Sequence, residues 1–151
     1  ALDLMNATIT QEYKNLALGK DAVTSAESCQ DTEGPQNLTD GRADTKWCAA
    51  LNEEGVSVSI DLQSEQLIHR VRVSHAGVAS LTGDDKRQNT RDYEILVSND
   101  LQGPWDEVVR VTGNIANANS FVLNRQVRFV RLHVSDAGGD DKARIYEVLV
   151  D

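Results

Sequence analysis

Three groups of residues in this chain have the types and spacing to do chemistry. The first is the run Asn37-Leu38-Thr39-Asp40-Gly41-Arg42-Ala43-Asp44-Thr45, which crowds oxygen atoms around one glycine. A hard cation such as Ca²⁺ takes about six to eight oxygens, many of them backbone carbonyls. The glycine follows the first aspartate directly, so this is not an EF-hand, and a plain Asp-Gly turn accounts for the same residues. The second group lies in the long polar stretch 74–92, which offers His75, Arg87, Asn89 and Arg91. Side chains of this hydrogen-bonding kind recognise sugar hydroxyls, and long loops inside compact domains tend to be functional. A solvated loop is the plainer alternative. The third group is the carboxylate pairs Asp84-Asp85 and Asp140-Asp141. Two acids can flank and cleave a glycosidic bond, but adjacent acids in a loop are ordinarily just solvated.

Other catalytic patterns are missing from the sequence. It contains no GxSxG nucleophile elbow and no HExxH zinc helix. Gly83 and Gly138-Gly139 make no phosphate loop. The histidines are His69, His75 and His133, and neither cysteine belongs to a CxxC pair, so a zinc site is not expected. Cys29 and Cys48 sit in turn-rich sequence where a disulfide would stabilise, though two free thiols fit the sequence as well. Asn37-Leu38-Thr39 and Asn6-Ala7-Thr8 also read as glycosylation sequons.

The elements that hold these residues read as strands. Val56, Val58, Ile60 and Leu62 alternate with Ser57, Ser59 and Asp61, the period of a strand with one buried face. Leu67 to Val73 makes a second strand, with His69, Val71 and Val73 on one side. Further strands are expected at 93–97, 105–111, 121–123, 130–134 and 145–150. The segments between them are rich in Gly, Asn, Asp and Ser, and no helical stripe runs for ten residues or more. Many short strands with turn signals predict an all-β antiparallel sandwich. The 151 residues suffice for one domain with its own core, with residues 1–14 as a linker or tail and 15–151 as the domain. The chain starts at Ala1 and carries its only methionine at Met5, so a piece of a longer or processed protein is expected. A net charge of −9 argues against nucleic acid and anionic membrane surfaces as partners, and no run of apolar residues is long enough for a helical membrane span.

The order of short motifs resembles a known family. Asn15-Leu16-Ala17-Leu18-Gly19-Lys20, Leu38-Thr39-Asp40-Gly41 with Thr45-Lys46-Trp47, and Val58-Ser59-Ile60-Asp61-Leu62 come first. Ile68-His69-Arg70-Val71, the stretch Asn89 to Ser98, Phe129-Val130-Arg131-Leu132 and Ile145-Tyr146-Glu147-Val148 follow in sequence. Together they resemble the coagulation factor V/VIII type C, or discoidin-like, domains, and more specifically the bacterial family 32 carbohydrate-binding modules. The resemblance covers residues 15–151.

It implies a jelly-roll sandwich with a structural Ca²⁺. Carried over by position, Asp40 and Glu147 would give side-chain oxygens, Thr45 its hydroxyl and carbonyl, and Asn37, Arg42 and Tyr146 carbonyls. Sugar sites in that family lie on the loops at one end of the sandwich. The expected contacts here are His75 and Asn89, assisted by Arg91 or Arg87, with Trp47 as a platform or, alternatively, a core residue. Cys48 stands where many galactose-binding members carry a histidine, and the loop before the last strand offers no aromatic residue. The expectation is a non-catalytic module that binds terminal galactose or N-acetylgalactosamine, with Kd on the order of 0.1–1 mM. It would target a covalently linked, secreted or cell-surface bacterial glycoside hydrolase to its glycan. A discoidin-like module that binds a protein partner, or serves only as structure, is the alternative.

Overall fold

The computed structural model describes residues 14–82 and 84–151; the expected tail at 1–14, apart from Lys14, and the Asn6 sequon lie outside them. The observed strands are β1 (Ala22–Val23), β2 (Trp47–Ala50), β3 (Val56–His75), β4 (Asp92–Ser98), β5 (Asp106–Val111), β6 (Ala118–Asp136) and β7 (Lys142–Val150). Three short 3-10 turns cover Pro35–Leu38, Ala76–Thr82 and Lys86–Gln88. All strand pairs are antiparallel.

Two long strands build both layers. The first part of β3, 56–61, pairs with 129–134 of β6, which continues to β4 and β5, while β1 covers the other edge. The later part of β3, 66–74, pairs with 118–127 of β6 and with β7, and β7 pairs with β2. β3 turns its corner at Gln63 (φ 76°), inside the register shift between Asp61 and Gln66, and β6 has a second positive φ at Asn124 (50°), opposite the shift between Ile68 and Arg70. The strands expected at 56–62 and 67–73 are therefore one bent strand, as are those expected at 121–123 and 130–134.

The period-two pattern dictates the core. Val58, Ile60 and Leu62 from one arm of β3 and Val71 and Val73 from the other join Tyr93, Ile95, Val97, Val130, Leu132, Ile145 and Val148 in a single cluster. Fully burying each such aliphatic side chain stabilises by roughly 1.5–3 kcal/mol. The His69 and Arg70 amides both donate to the Asp151 carbonyl, at 2.6 and 3.1 Å, a bulge on β3 that resets the alternation, so Ile68 is buried and His69 points to solvent, correcting the expected inward side for His69. The reset has a local physical basis: a bulge adds one residue to one strand and reverses the faces beyond it.

Candidate functional site

The end of β3, the start of β6, the start of β4 and the end of β6 meet at one end of the sandwich. Ser74 pairs with Ala118, His75 with Ile145 and Asp92 with Asp136. The loops 76–91, 112–117 and 137–141 therefore share this end. The expected sugar contacts all belong to it or lie just beneath it, but they divide sharply by burial.

His75 is 0% exposed. Its Nε2 lies 2.7 Å from Asn119 Oδ1, and its ring packs edge-on against Tyr93. Burial pushes its pKa below the ordinary histidine value, against the opposing pull of the Asn119 bond. The expectation that His75 bonds a sugar hydroxyl is corrected on this ground. The alternation that puts Val71 and Val73 inside puts His75 inside too.

Asn89 is likewise buried. Its Oδ1 accepts the Gly77 N–H at 2.6 Å, while its Nδ2 donates to Asn117 Oδ1 at 3.1 Å and the Ile115 carbonyl at 3.4 Å. A direct sugar contact by Asn89 is corrected to a bridge between two loops. Gly77 leaves room for this bridge: a Cβ there would collide with Asn117 Oδ1 and lie 2.9 Å from Asn89 Oδ1. Trp47 is fully buried in the core, which removes the platform reading.

Arg87 and Arg91 do reach solvent. Arg87 forks onto Asp85 at 2.8 Å, with its side chain 87% exposed, and Arg91 lies 3.5 Å from Asp136. Each pair sets a donor beside an acceptor, the arrangement that neighbouring sugar hydroxyls require. Beneath them lies an asparagine network that the sequence reading missed. Asn119 Oδ1 also accepts from the Tyr93 hydroxyl at 2.6 Å, Asn119 Nδ2 donates to Asn114 Oδ1, and Asn114 Nδ2 donates to the Thr90 carbonyl. The run Asn114-Ile115-Ala116-Asn117-Ala118-Asn119 was the available signal, since asparagine holds irregular backbone through its own side chain.

A second unforeseen cluster ties the 76–91 loop to the sheet. Lys46 Nζ lies 2.9 Å from Asp84 and 3.1 Å from Glu33, and the Tyr146 hydroxyl donates to Asp84 at 2.6 Å. Arg144 forks onto Asp140 at 2.8 and 2.9 Å. Burial pushes the Asp84 carboxyl up, but the hydrogen bonds from Tyr146 and Lys46 outweigh it and leave the group below the usual carboxylate range. Asp84 thus works as a latch rather than as half of a catalytic pair. Cys29 and Cys48 are joined in a disulfide, and the Cys48 amide donates to the Glu33 carbonyl at 3.0 Å.

The expected cation ligands gather along the outer edge of β7. Asp40 Oδ1 accepts the Arg42 N–H at 2.9 Å and Oδ2 the Thr45 hydroxyl at 2.6 Å. Asn37 Nδ2 donates to the Thr32 and Lys46 carbonyls, fixing the start of the loop. The Arg42 side chain turns outward onto Asp44. Glu147 and the backbone of Tyr146 lie on β7. Burial, and then the nearby negative charge of Asp40, push the Glu147 carboxyl up. Among the described residues no ion pair joins Glu147 to a cationic side chain. Carboxylates, hydroxyls and carbonyls are the hard oxygen donors that Ca²⁺ takes. Among the described residues no group of three or more His, Cys, Asp or Glu side chains forms a metal cluster.

Solved structures share this architecture. The family 32 carbohydrate-binding module of Streptococcus pneumoniae EndoD superposes with a TM-score of 0.75 at 23% identity, covering 91% of this chain and 99% of that one. Chitosan-binding module 1 from the chitosanase/glucanase of Paenibacillus sp. IK-5 gives 0.72 at 23% identity, with 91% and 98% covered. A Clostridium perfringens module in complex with GalNAc-β-1,3-galactose gives 0.75 at 18% identity, with 91% and 99% covered. No curated protein sequence matches the chain. The sequence profile of the F5/8 type C domain matches residues 22–148, and with the antiparallel sandwich described above the chain belongs to the F5/8 type C domain family.

Proposed function

We propose that this domain is a non-catalytic carbohydrate-binding module that holds terminal galactose or N-acetylgalactosamine at its loop end. The observation that carries the reading is the pair of exposed Arg–carboxylate couples, Arg87–Asp85 and Arg91–Asp136, standing over a cross-braced asparagine layer. Support from below lets such groups hold their spacing before ligand arrives, which lowers the cost of ordering them on binding. The resemblance to one module described with GalNAc-β-1,3-galactose supports the sugar class, and the resemblance to chitosan-binding modules names its competitor. The Asp84 latch supports a non-catalytic reading, because its carboxylate is already engaged by Tyr146 and Lys46.

Asp40, Glu147 and Thr45, with the carbonyls of Asn37, Arg42 and Tyr146, would hold a structural Ca²⁺. Such an ion would tie the 37–45 loop to β7 and supply stability, not chemistry. The disulfide supports a secreted or cell-surface location, where oxidising conditions preserve it. In that setting the module would raise the effective concentration of a linked bacterial glycoside hydrolase at its glycan.

One observation favours a second reading. Ile115 is 88% exposed and Val78 46% exposed on adjoining loops, an apolar pair that would suit a protein partner. Calorimetric titration with galactose, GalNAc-β-1,3-galactose and chitotriose tests the choice. The Arg87→Ala/Arg91→Ala double variant should lose at least about tenfold in affinity for the galactose-type ligands. Unchanged affinity in that variant, or preference for chitotriose, contradicts the proposal.

A further inference from the structure

A depression of about 250 Å³ lies on the five-stranded layer, and none of its lining residues belongs to the 76–91 loop. It sits between the chain following β1, the Asn52–Gly55 turn and the adjacent strands β3 and β6. Ala26, Ala50 and Val56 give it apolar lining, and Ser25, Asn52, Glu54 and His133 give it polar lining. Its size falls below the roughly 300–1,000 Å³ of pockets that take drug-sized ligands, so it suits one ring.

The polar groups are set in place by bonds that leave their other atoms available. Ser57 Oγ lies 2.6 Å from His133 Nδ1, which fixes the imidazole through one nitrogen. Nε2 has no protein hydrogen-bond partner among the described residues. Gly55, at φ +94°, makes room beside it: a Cβ would collide with the Val134 carbonyl and lie 3.0 Å from Nε2. Asn52 Oδ1 accepts the Glu54 N–H at 2.8 Å, which leaves the amide Nδ2 as a donor. Thr24 donates to the Ser57 carbonyl at 2.7 Å and its hydroxyl accepts the Ala26 N–H at 3.2 Å, holding the opposite wall.

We propose that this depression is a second ligand site, lined by none of the residues of the 76–91 loop, and that it takes a single neutral sugar ring. The imidazole Nε2 either donates or accepts, depending on which partner holds the Ser57–His133 proton, and a hydroxyl satisfies both cases. The Asn52 amide donates, the Glu54 carboxylate accepts, and the alanine and valine surfaces meet ring C–H groups. A carboxylate with no cation in the lining disfavours uronates, sulfates and phosphates.

The test is amide NMR of the whole chain titrated with methyl β-galactoside, methyl β-glucoside and N-acetylgalactosamine, with glucuronate as the anionic control. A neutral sugar should move the amides of 24–26, 52–57 and 133 at concentrations on the order of 10 mM. Asn52→Ala/Glu54→Ala, a change of two exposed side chains, and His133→Ala should each weaken that response by about tenfold or more. Arg87→Ala/Arg91→Ala should leave it intact, which separates this site from the Arg87–Arg91 surface. The proposal is overturned if no neutral sugar moves these amides, if glucuronate moves them equally, or if both pocket variants respond like the parent.

Discussion

Asn89 takes the Gly77 amide proton on its Oδ1 at 2.6 Å, so one buried side chain pins the two ends of the 76–91 loop together. Its own amide group braces Asn117 at 3.1 Å. Removing it orphans a buried N–H and loosens the surface above. Asn89→Ala should therefore cost about 1–3 kcal/mol of stability as well as ligand affinity. Urea denaturation checks this; a variant as stable as the parent would return Asn89 to a purely superficial role.

His75 makes stability depend on pH. Its folded pKa is lowered, chiefly by burial, whereas the unfolded chain binds a proton near the ordinary value of about 6.5. The contribution is present above that value and is lost as pH falls below it toward the folded pKa. The slope from this group is at most about 1.4 kcal/mol per pH unit. Comparing unfolding free energies at pH 7.5 and about 5.5 in the parent and in His75→Gln should show a smaller loss in the variant. Equal losses would mean that His75 is protonated as easily folded as unfolded.

Much of the scaffold was legible in the sequence, and the failures are local. Val56 to Leu62 shows its alternation openly, and so does Val71-Arg72-Val73. What alternation cannot reveal is that β3 and β6 each run on as one strand through a corner, because that is set by pairing with distant strands. β2 escaped notice because Trp47, Cys48 and Ala49 are all buried and show no period of two. His75 was misread for a different reason: polarity suggested a rim, while its place in the β3 alternation pointed inward. The Lys46–Asp84–Tyr146 contacts span 38 and 62 residues of sequence, beyond the reach of any local pattern.

Chelation should lower thermal stability. A ligand present at about 100 times its Kd stabilises by about 2.7 kcal/mol, which is several degrees in a domain of this size. Scanning calorimetry in Ca²⁺ and after exhaustive EDTA treatment should show that difference in the parent and lose it in Asp40→Ala and Glu147→Gln. An unchanged melt in the parent would remove Ca²⁺ from the 37–45 loop.

The Cys29–Cys48 bond closes a loop with a sequence separation of 19. Cys29→Ser/Cys48→Ser should cost about 2–4 kcal/mol. It should also weaken sugar binding at the loop end, since Cys48 holds the Glu33 backbone and Glu33 in turn holds Lys46. Denaturation together with titration of the double variant tests both effects; a loss of stability with unaltered affinity would confine the bridge to a structural role.

The central claim is glycan recognition without catalysis, and a glycan array probed with the labelled domain tests it most directly. Discrete signals on glycans ending in galactose or N-acetylgalactosamine, with every glycan left intact, are the predicted result. An array without a signal above background, or with signals that ignore the terminal sugar, would contradict it.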